Sequence, residues 1–150
     1  MDKKINNWRN YIKLEFASLP ENVGLARVAV ASFASQVDLT LNDLEEIKVA
    51  TSEAVSNAII HGYENSPEGI VVIEAFRDET KLILTVEDRG KGIADVEQAM
   101  QPAYTTDPER MGLGFVFMKS FMDHLEVTSR LGEGTKVIMT KNLNPVDAVN

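Results

Sequence analysis

Glu53-Ala-Val-Ser-Asn57-Ala-Ile-Ile-His61-Gly62 is an apolar helical run broken by polar side chains at a constant interval. Glu53, Asn57 and His61 stand at i, i+4 and i+8, which a helix of about 3.6 residues per turn stacks along one face. Ala54, Val55, Ala58 and Ile59 fall on the other side and are available for burial. A carboxylate and a carboxamide one turn apart suit a proton acceptor and an oxygen ligand for a hard cation such as Mg²⁺. A solvated stripe on an ordinary amphipathic helix is the plainer alternative. The choice between them depends on whether the rest of the chain supplies a ligand.

Working back from this stripe, Thr40-Leu-Asn-Asp43 is a capping-box signature, so the helix is expected to begin near Leu41 and to stop at Gly62. A second such signature, Ser18-Leu-Pro-Glu21, predicts an earlier helix with Ser18 as N-cap, running to about Gln36. Leu25, Val28, Ala31 and Phe33 are among its apolar positions, and Arg27 is read as a solvated charge. Before it, Ile12, Leu14 and Phe16 alternate with Lys13 and Glu15, the pattern of a half-buried strand.

Working forward, Ile70 to Phe76 and Lys81 to Glu87 read as a hairpin that delivers Asp88 to a strand end. From Arg89 to Met111 the periodicity stops and glycine and proline enter, leaving a long loop with one helical turn near Val96 to Met100. Gly112-Leu-Gly114 opens a third helix, Phe115 to about His124, and Leu125 to Arg130 and Thr135 to Lys141 close the chain as a hairpin. The expected fold is α+β: a two-layer sandwich whose sheet is mixed or largely antiparallel, covered on one face by helices, with a lid. The domain plan is a leader over 1–10, one folded unit over 11–142 and a tail over 143–150.

Composition narrows the chemistry. A chain of 150 residues fits one domain. With no cysteine and two histidines, disulfides, thiolate sites and His-rich metal sites are excluded, so any metal is held by oxygens. A net charge of −8 argues against general nucleic-acid binding and favours protein or small-molecule partners. No apolar run approaches a membrane span and the start has no signal-peptide h-region, so a cytoplasmic location is expected.

Three glycine signatures supply the ligand that the stripe requires. Asp88-Arg-Gly90-Lys-Gly92 sets a carboxylate before two glycines, suited to accept a hydrogen bond from an exocyclic amine such as that of adenine. Gly112-Leu-Gly114 at a helix start offers backbone N–H groups and the positive end of the helix dipole to phosphates. Gly132-Glu-Gly134-Thr135 is a hairpin turn whose threonine can support a base from the sheet side. Taken singly, each also reads as a turn, a hinge or a cap. Neither a Rossmann fingerprint nor a Walker A loop is present.

In this order the four signatures resemble the boxes of the GHKL ATPase superfamily over roughly Glu53 to Thr135. Within it, Ala26 to Phe33, Ser52 to Val55, Asn57 to Tyr63, Gln101 to Thr106 and Phe121 to Asp123 are most similar to the sporulation anti-sigma serine/threonine kinases. The resemblance implies a homodimer that binds ATP or ADP with Mg²⁺, holds a sporulation sigma factor inactive and phosphorylates a serine of an anti-anti-sigma factor. It further implies that Glu53 is the catalytic base, Asn57 a nucleotide-site residue and Mg²⁺ ligand, and Asp88 the partner of the adenine amine. By the same resemblance Gly90, Gly92 and Thr135 shape the base pocket, Gly112, Leu113 and Gly114 wrap the phosphates, and Thr105 and Arg110 are lid contacts. His61 is read as structural or as an outer contact. Two departures fall in the lid, which is shorter than usual between Thr106 and Gly112 and carries Met111 where serine is common. The first strand and first helix are the expected dimer surface. Two other readings are a nucleotide-gated sigma-binding module without kinase activity and a histidine-kinase-type ATPase domain.

Overall fold

The structure, a computed structural model, describes residues 8–101 and 111–143. Strand β1 (Asn10–Ala17) leads into helix α1 (Asn22–Ala34) and the long helix α2 (Leu41–Asn57), which continues as a π-helical turn, Ala58–Gly62. Strands β2 (Ile70–Arg77) and β3 (Lys81–Asp88) follow, then the short helix α3 (Val96–Ala99), helix α4 (Met111–Phe121), and strands β4 (His124–Arg130) and β5 (Gly134–Asn142). The sheet order is β1-β2-β3-β5-β4, and all four pairings are antiparallel. The α+β expectation holds, and of its two sheet variants the antiparallel one is observed.

The sheet buries one face. Val71, Ile73 and Ala75 of β2 and Leu82, Leu84 and Val86 of β3 point inward, as period-two alternation requires. They meet Ile47, Ala50, Ala54 and Val55 of α2, with Phe115 and Met118 of α4 and Val137 and Met139 of β5 completing the core. The opposite face carries the half-buried Val72, Glu74 and Glu87. Lys141 is buried at the sheet's inner face, where its Nζ donates to Glu46 Oε1 at 3.0 Å and to the Phe121 carbonyl at 2.8 Å. One cation thus ties β5 to α2 and to the carbonyl end of α4.

The capping box at Thr40 forms as expected, Thr40 Oγ1 accepting from the Asp43 N–H and Asp43 Oδ2 from the Thr40 N–H. The one at Ser18 does not. Helix α1 starts at Asn22 behind Glu21, without a side-chain cap, because the Ser18 hydroxyl is used elsewhere. It is buried, donates to the Ser66 carbonyl and accepts from the Gly69 N–H, fastening the end of β1 to the turn before β2. The buried face of α1 also differs from expectation. Ala26, Val30, Phe33 and Ala34 pack inward, whereas Leu25 and Val28 remain 60% and 62% exposed. Apolar residues surround this helix, so their period does not identify which face packs on α2. His124, expected at the end of the third helix, opens β4 instead.

Candidate nucleotide-binding site

The pocket is built lengthwise along α2. Its far end is the π-helical turn, a wider winding that commonly marks functional positions. The turn interrupts the regular stacking of the polar stripe after Asn57, leaving His61 buried in the pocket wall and Gly62 against β3. A pocket opens there, with Ala54, Ala58, Val86 and Phe115 as apolar walls and Asn57, Asp88 and Thr135 as polar groups. This combination of apolar lining and few convergent polar groups is typical of small-ligand sites.

Asp88, at the end of β3, is 6% exposed. A Cβ added to Gly62 would stand 2.7 Å from its Cγ, so the carboxylate lies directly on the Gly62 backbone. Burial pushes the Asp88 carboxyl up to about 6, and the N–H groups of Gly90 and Thr135 oppose that rise by donating to it, while the Glu87 charge adds to it. The Gly90 N–H reaches Asp88 Oδ1 at 2.8 Å. Gly90 itself packs against the Gly62 carbonyl too closely for any Cβ, and the next amide, Lys91 N–H, donates to that carbonyl at 2.9 Å. Gly92 has φ +77°, a backbone conformation that favours glycine, and its Cα meets the Arg130 carbonyl. The second signature therefore folds as a clamp between the π-turn and the last hairpin, with its carboxylate facing the pocket.

Two residues that were not singled out from sequence hold this clamp. Tyr63 donates its hydroxyl proton to the Ile70 carbonyl and accepts the Arg89 N–H, bracing the chain next to Asp88. Ser129 accepts the Ile93 N–H at 2.8 Å and lies 2.8 Å from Thr135 Oγ1. A polar residue at an inward position of an alternating strand, after Leu125 and Val127, was the available signal for Ser129. Tyr63 had none, since its partners are remote in sequence.

At the other end of the pocket, α4 crosses Glu53 and Asn57. A Cβ on Gly114 would lie 3.0 Å from Glu53 Oε1 and 3.3 Å from Asn57 Nδ2, so the glycine brings the first described turn of α4 onto both side chains. Gly112 packs on the Gln101 carbonyl, where a Cβ would stand at 2.6 Å, which brings together the two described ends of the lid. Leu113 is 37% exposed beside them. Thr105 and Arg110 lie outside the described residues.

The Asn57 Nδ2 is buried and has no hydrogen-bond partner among the described residues. A buried carboxamide nitrogen without a partner on a pocket wall suits a ligand contact, and a flip of the group would present its oxygen instead. No cluster of three or more His, Asp or Glu side chains suited to a metal is found among the described residues.

Fold and site together define a nucleotide-binding domain of the histidine kinase-like class, and the family model described as "Histidine kinase-like ATPase domain" matches residues 16–141. The chain is 50% identical over 139 residues to an anti-sigma F factor of Clostridium beijerinckii, covering 91% of this chain and 97% of that protein. It is 53% identical over 137 residues to one of Clostridium kluyveri, covering 90% and 96%, and 48% identical over 143 residues to one of Anoxybacillus flavithermus, covering 94% and 98%. Among solved structures, the RsbU and RsbW domains of a Mycobacterium tuberculosis protein superpose with a TM-score of 0.62 at 18% identity, over 88% of this chain and 31% of that one. A mycobacterial sensor histidine kinase, MprB, gives 0.56 at 17% identity over 87% and 97%, a likeness of fold alone. The chain belongs to the anti-sigma F factor family within the histidine kinase-like ATPases.

Proposed function

We propose that the chain is a partner-switching protein serine kinase. In this reading it binds and inhibits a sporulation sigma factor and uses Mg·ATP to phosphorylate a serine of its anti-anti-sigma partner. The observation that carries the proposal is the order of groups along one helix: Gly62 with Asp88 at one end, Asn57 in the middle, and Glu53 beside Gly114 at the other. A base held at Asp88 directs its phosphates along α2 towards Asn57 and Glu53.

Asp88 accepts the adenine amine, Gly90 and Gly92 close the clamp, and Thr135 supports the ring. Asn57 offers its carboxamide oxygen to Mg²⁺, and the N–H groups around Gly112, Leu113 and Gly114 receive phosphate oxygens. Bound Mg·ATP supplies the phosphoryl group and neutralises its developing charge. Glu53 accepts the proton of the incoming serine hydroxyl, which restricts the transfer to a nucleophile placed against the first turn of α4. Thr105 and Arg110 are further lid contacts in this proposal. The active unit is residues 11–142, acting as a homodimer, with β1 and α1 as the contact surface. The 60% and 62% exposed Leu25 and Val28 support a partner contact on α1, since exposed apolar side chains mark interaction surfaces.

Incubating the protein with Mg·ATP and its anti-anti-sigma partner should add one phosphate to the partner, read as intact mass, and that phosphate should survive acid. Glu53→Gln should retain ADP binding and lower the transfer rate at least a hundredfold. Transfer at near wild-type rate in Glu53→Gln would remove the base assignment, and an acid-labile phosphate would remove the serine-kinase reading.

A further inference from the structure

Ser129 stands at a junction that the proposed chemistry does not use. Its Oγ takes the Ile93 N–H at 2.8 Å and lies 2.9 Å from the Gly134 carbonyl and 2.8 Å from Thr135 Oγ1. A serine hydroxyl has one proton and two lone pairs. One lone pair is taken by Ile93, leaving one proton for two acceptors, the Gly134 carbonyl and the Thr135 hydroxyl. When the proton goes to Gly134, the second lone pair of Ser129 receives the Thr135 proton, and Thr135 then turns only lone pairs to the pocket. When it goes to Thr135, the threonine proton is freed for an acceptor in the pocket. The Thr135 N–H meanwhile donates to the Asp88 carboxylate, and both residues line the same pocket.

Asp88 accepts only, and a base that gives it an amine presents a ring nitrogen next to that amine. In adenine this nitrogen, N1, is an acceptor and needs a donor. We propose that Ser129 is a positioning residue for base recognition, its hydroxyl donating to Thr135 Oγ1 and so leaving the threonine's own proton free to point at N1. The inference rests on the adenine-nucleotide reading of the pocket. It adds that base selection is set by a relay, Ile93 N–H to Ser129 to Thr135, which also links edge strand β4 to the glycine clamp.

The test is calorimetric titration of the full chain, in Mg²⁺, with ADP and with 1-deaza-ADP, in which a C–H replaces N1. Ser129→Ala should weaken ADP roughly fivefold, the worth of one neutral hydrogen bond, and leave 1-deaza-ADP binding unchanged. Ser129→Thr, which keeps the hydroxyl, should restore ADP binding to within about twofold. Thermal melts without nucleotide monitor folding. If the alanine variant is unstable, the ADP to 1-deaza-ADP affinity ratio of Ser129→Cys, a weak donor, reads the same quantity. Equal weakening of both ligands, or no weakening of either, overturns the relay while leaving the nucleotide site intact. Absence of ADP binding by the wild-type chain overturns the relay and the proposed function together.

Discussion

Burial makes the Asp88 charge costly. Its carboxyl titrates near 6 in the folded chain against 3.8 for an ordinary aspartate, so between those values the folded state binds more protons than the unfolded one. The Asp88 contribution to stability therefore falls as pH rises from about 4 to about 6 and is constant above. The accumulated cost at neutral pH is of order 3 kcal/mol, the equivalent of about two pKa units. Asp88→Asn removes the buried charge and should leave the melting temperature of the nucleotide-free protein at pH 7 unchanged or higher. ADP affinity should nevertheless drop at least tenfold, because the carboxamide is a weaker acceptor than the carboxylate. For the wild-type chain, ADP affinity measured by calorimetry should decline as pH falls through 6, where the carboxyl gains a proton and loses one of its acceptor sites. A flat profile between pH 5 and 7 would show that the carboxylate does not hold the base.

The elements around the site differ in how openly the sequence announced them. Helix α2 was legible at its start because Thr40 and Asp43 satisfy each other's backbone amides over three residues. Both hairpins were legible because alternation and turn residues are local signals. The same capping pattern misled at Ser18, whose hydroxyl finds Ser66 and Gly69 some fifty positions on, a partner choice that only the tertiary fold decides. The π-helical turn was illegible, since it is a change of backbone hydrogen bonding under an unchanged apolar pattern. Yet that turn presents Gly62 to both Asp88 and Gly90. Gly90→Ala drives a methyl into the Gly62 carbonyl and should cost about 3 kcal/mol by denaturant titration while abolishing ADP binding. Thr40→Ala should cost about 1 kcal/mol at the remote end of the same helix and leave the ADP dissociation constant unaltered. Equal losses of ADP binding in the two variants would mean that general stability of α2, and not the clamp, governs the site.

Across the whole molecule, the pocket draws on α2, β3, β5 and α4, with β4 braced to it through Ser129, leaving β1 at the far edge of the sheet. Lys141 couples three of those elements through Glu46 and the Phe121 carbonyl, so a ligand acting on α2 and α4 also acts on β5. The single tryptophan, Trp8, lies beyond β1, its ring 5.3 Å from that of Phe76. It reports the edge furthest from the pocket. A ligand that binds only the folded state stabilises by about 2.7 kcal/mol at a hundredfold excess over its dissociation constant. Mg·ADP at that excess should raise the unfolding midpoint by several degrees. If β1 unfolds together with the core, Trp8 fluorescence and far-UV circular dichroism should shift by the same amount. The continuous antiparallel ladder from β1 through β2 to β3 argues for that result, because β1 pairs with β2 along its entire length, Asn10 against Arg77 through Ala17 against Ile70. A Trp8 transition that stays put while the circular dichroism transition moves would instead separate the edge strand from the nucleotide-binding core. Any partner contact on β1 would then be insensitive to the occupant of the pocket.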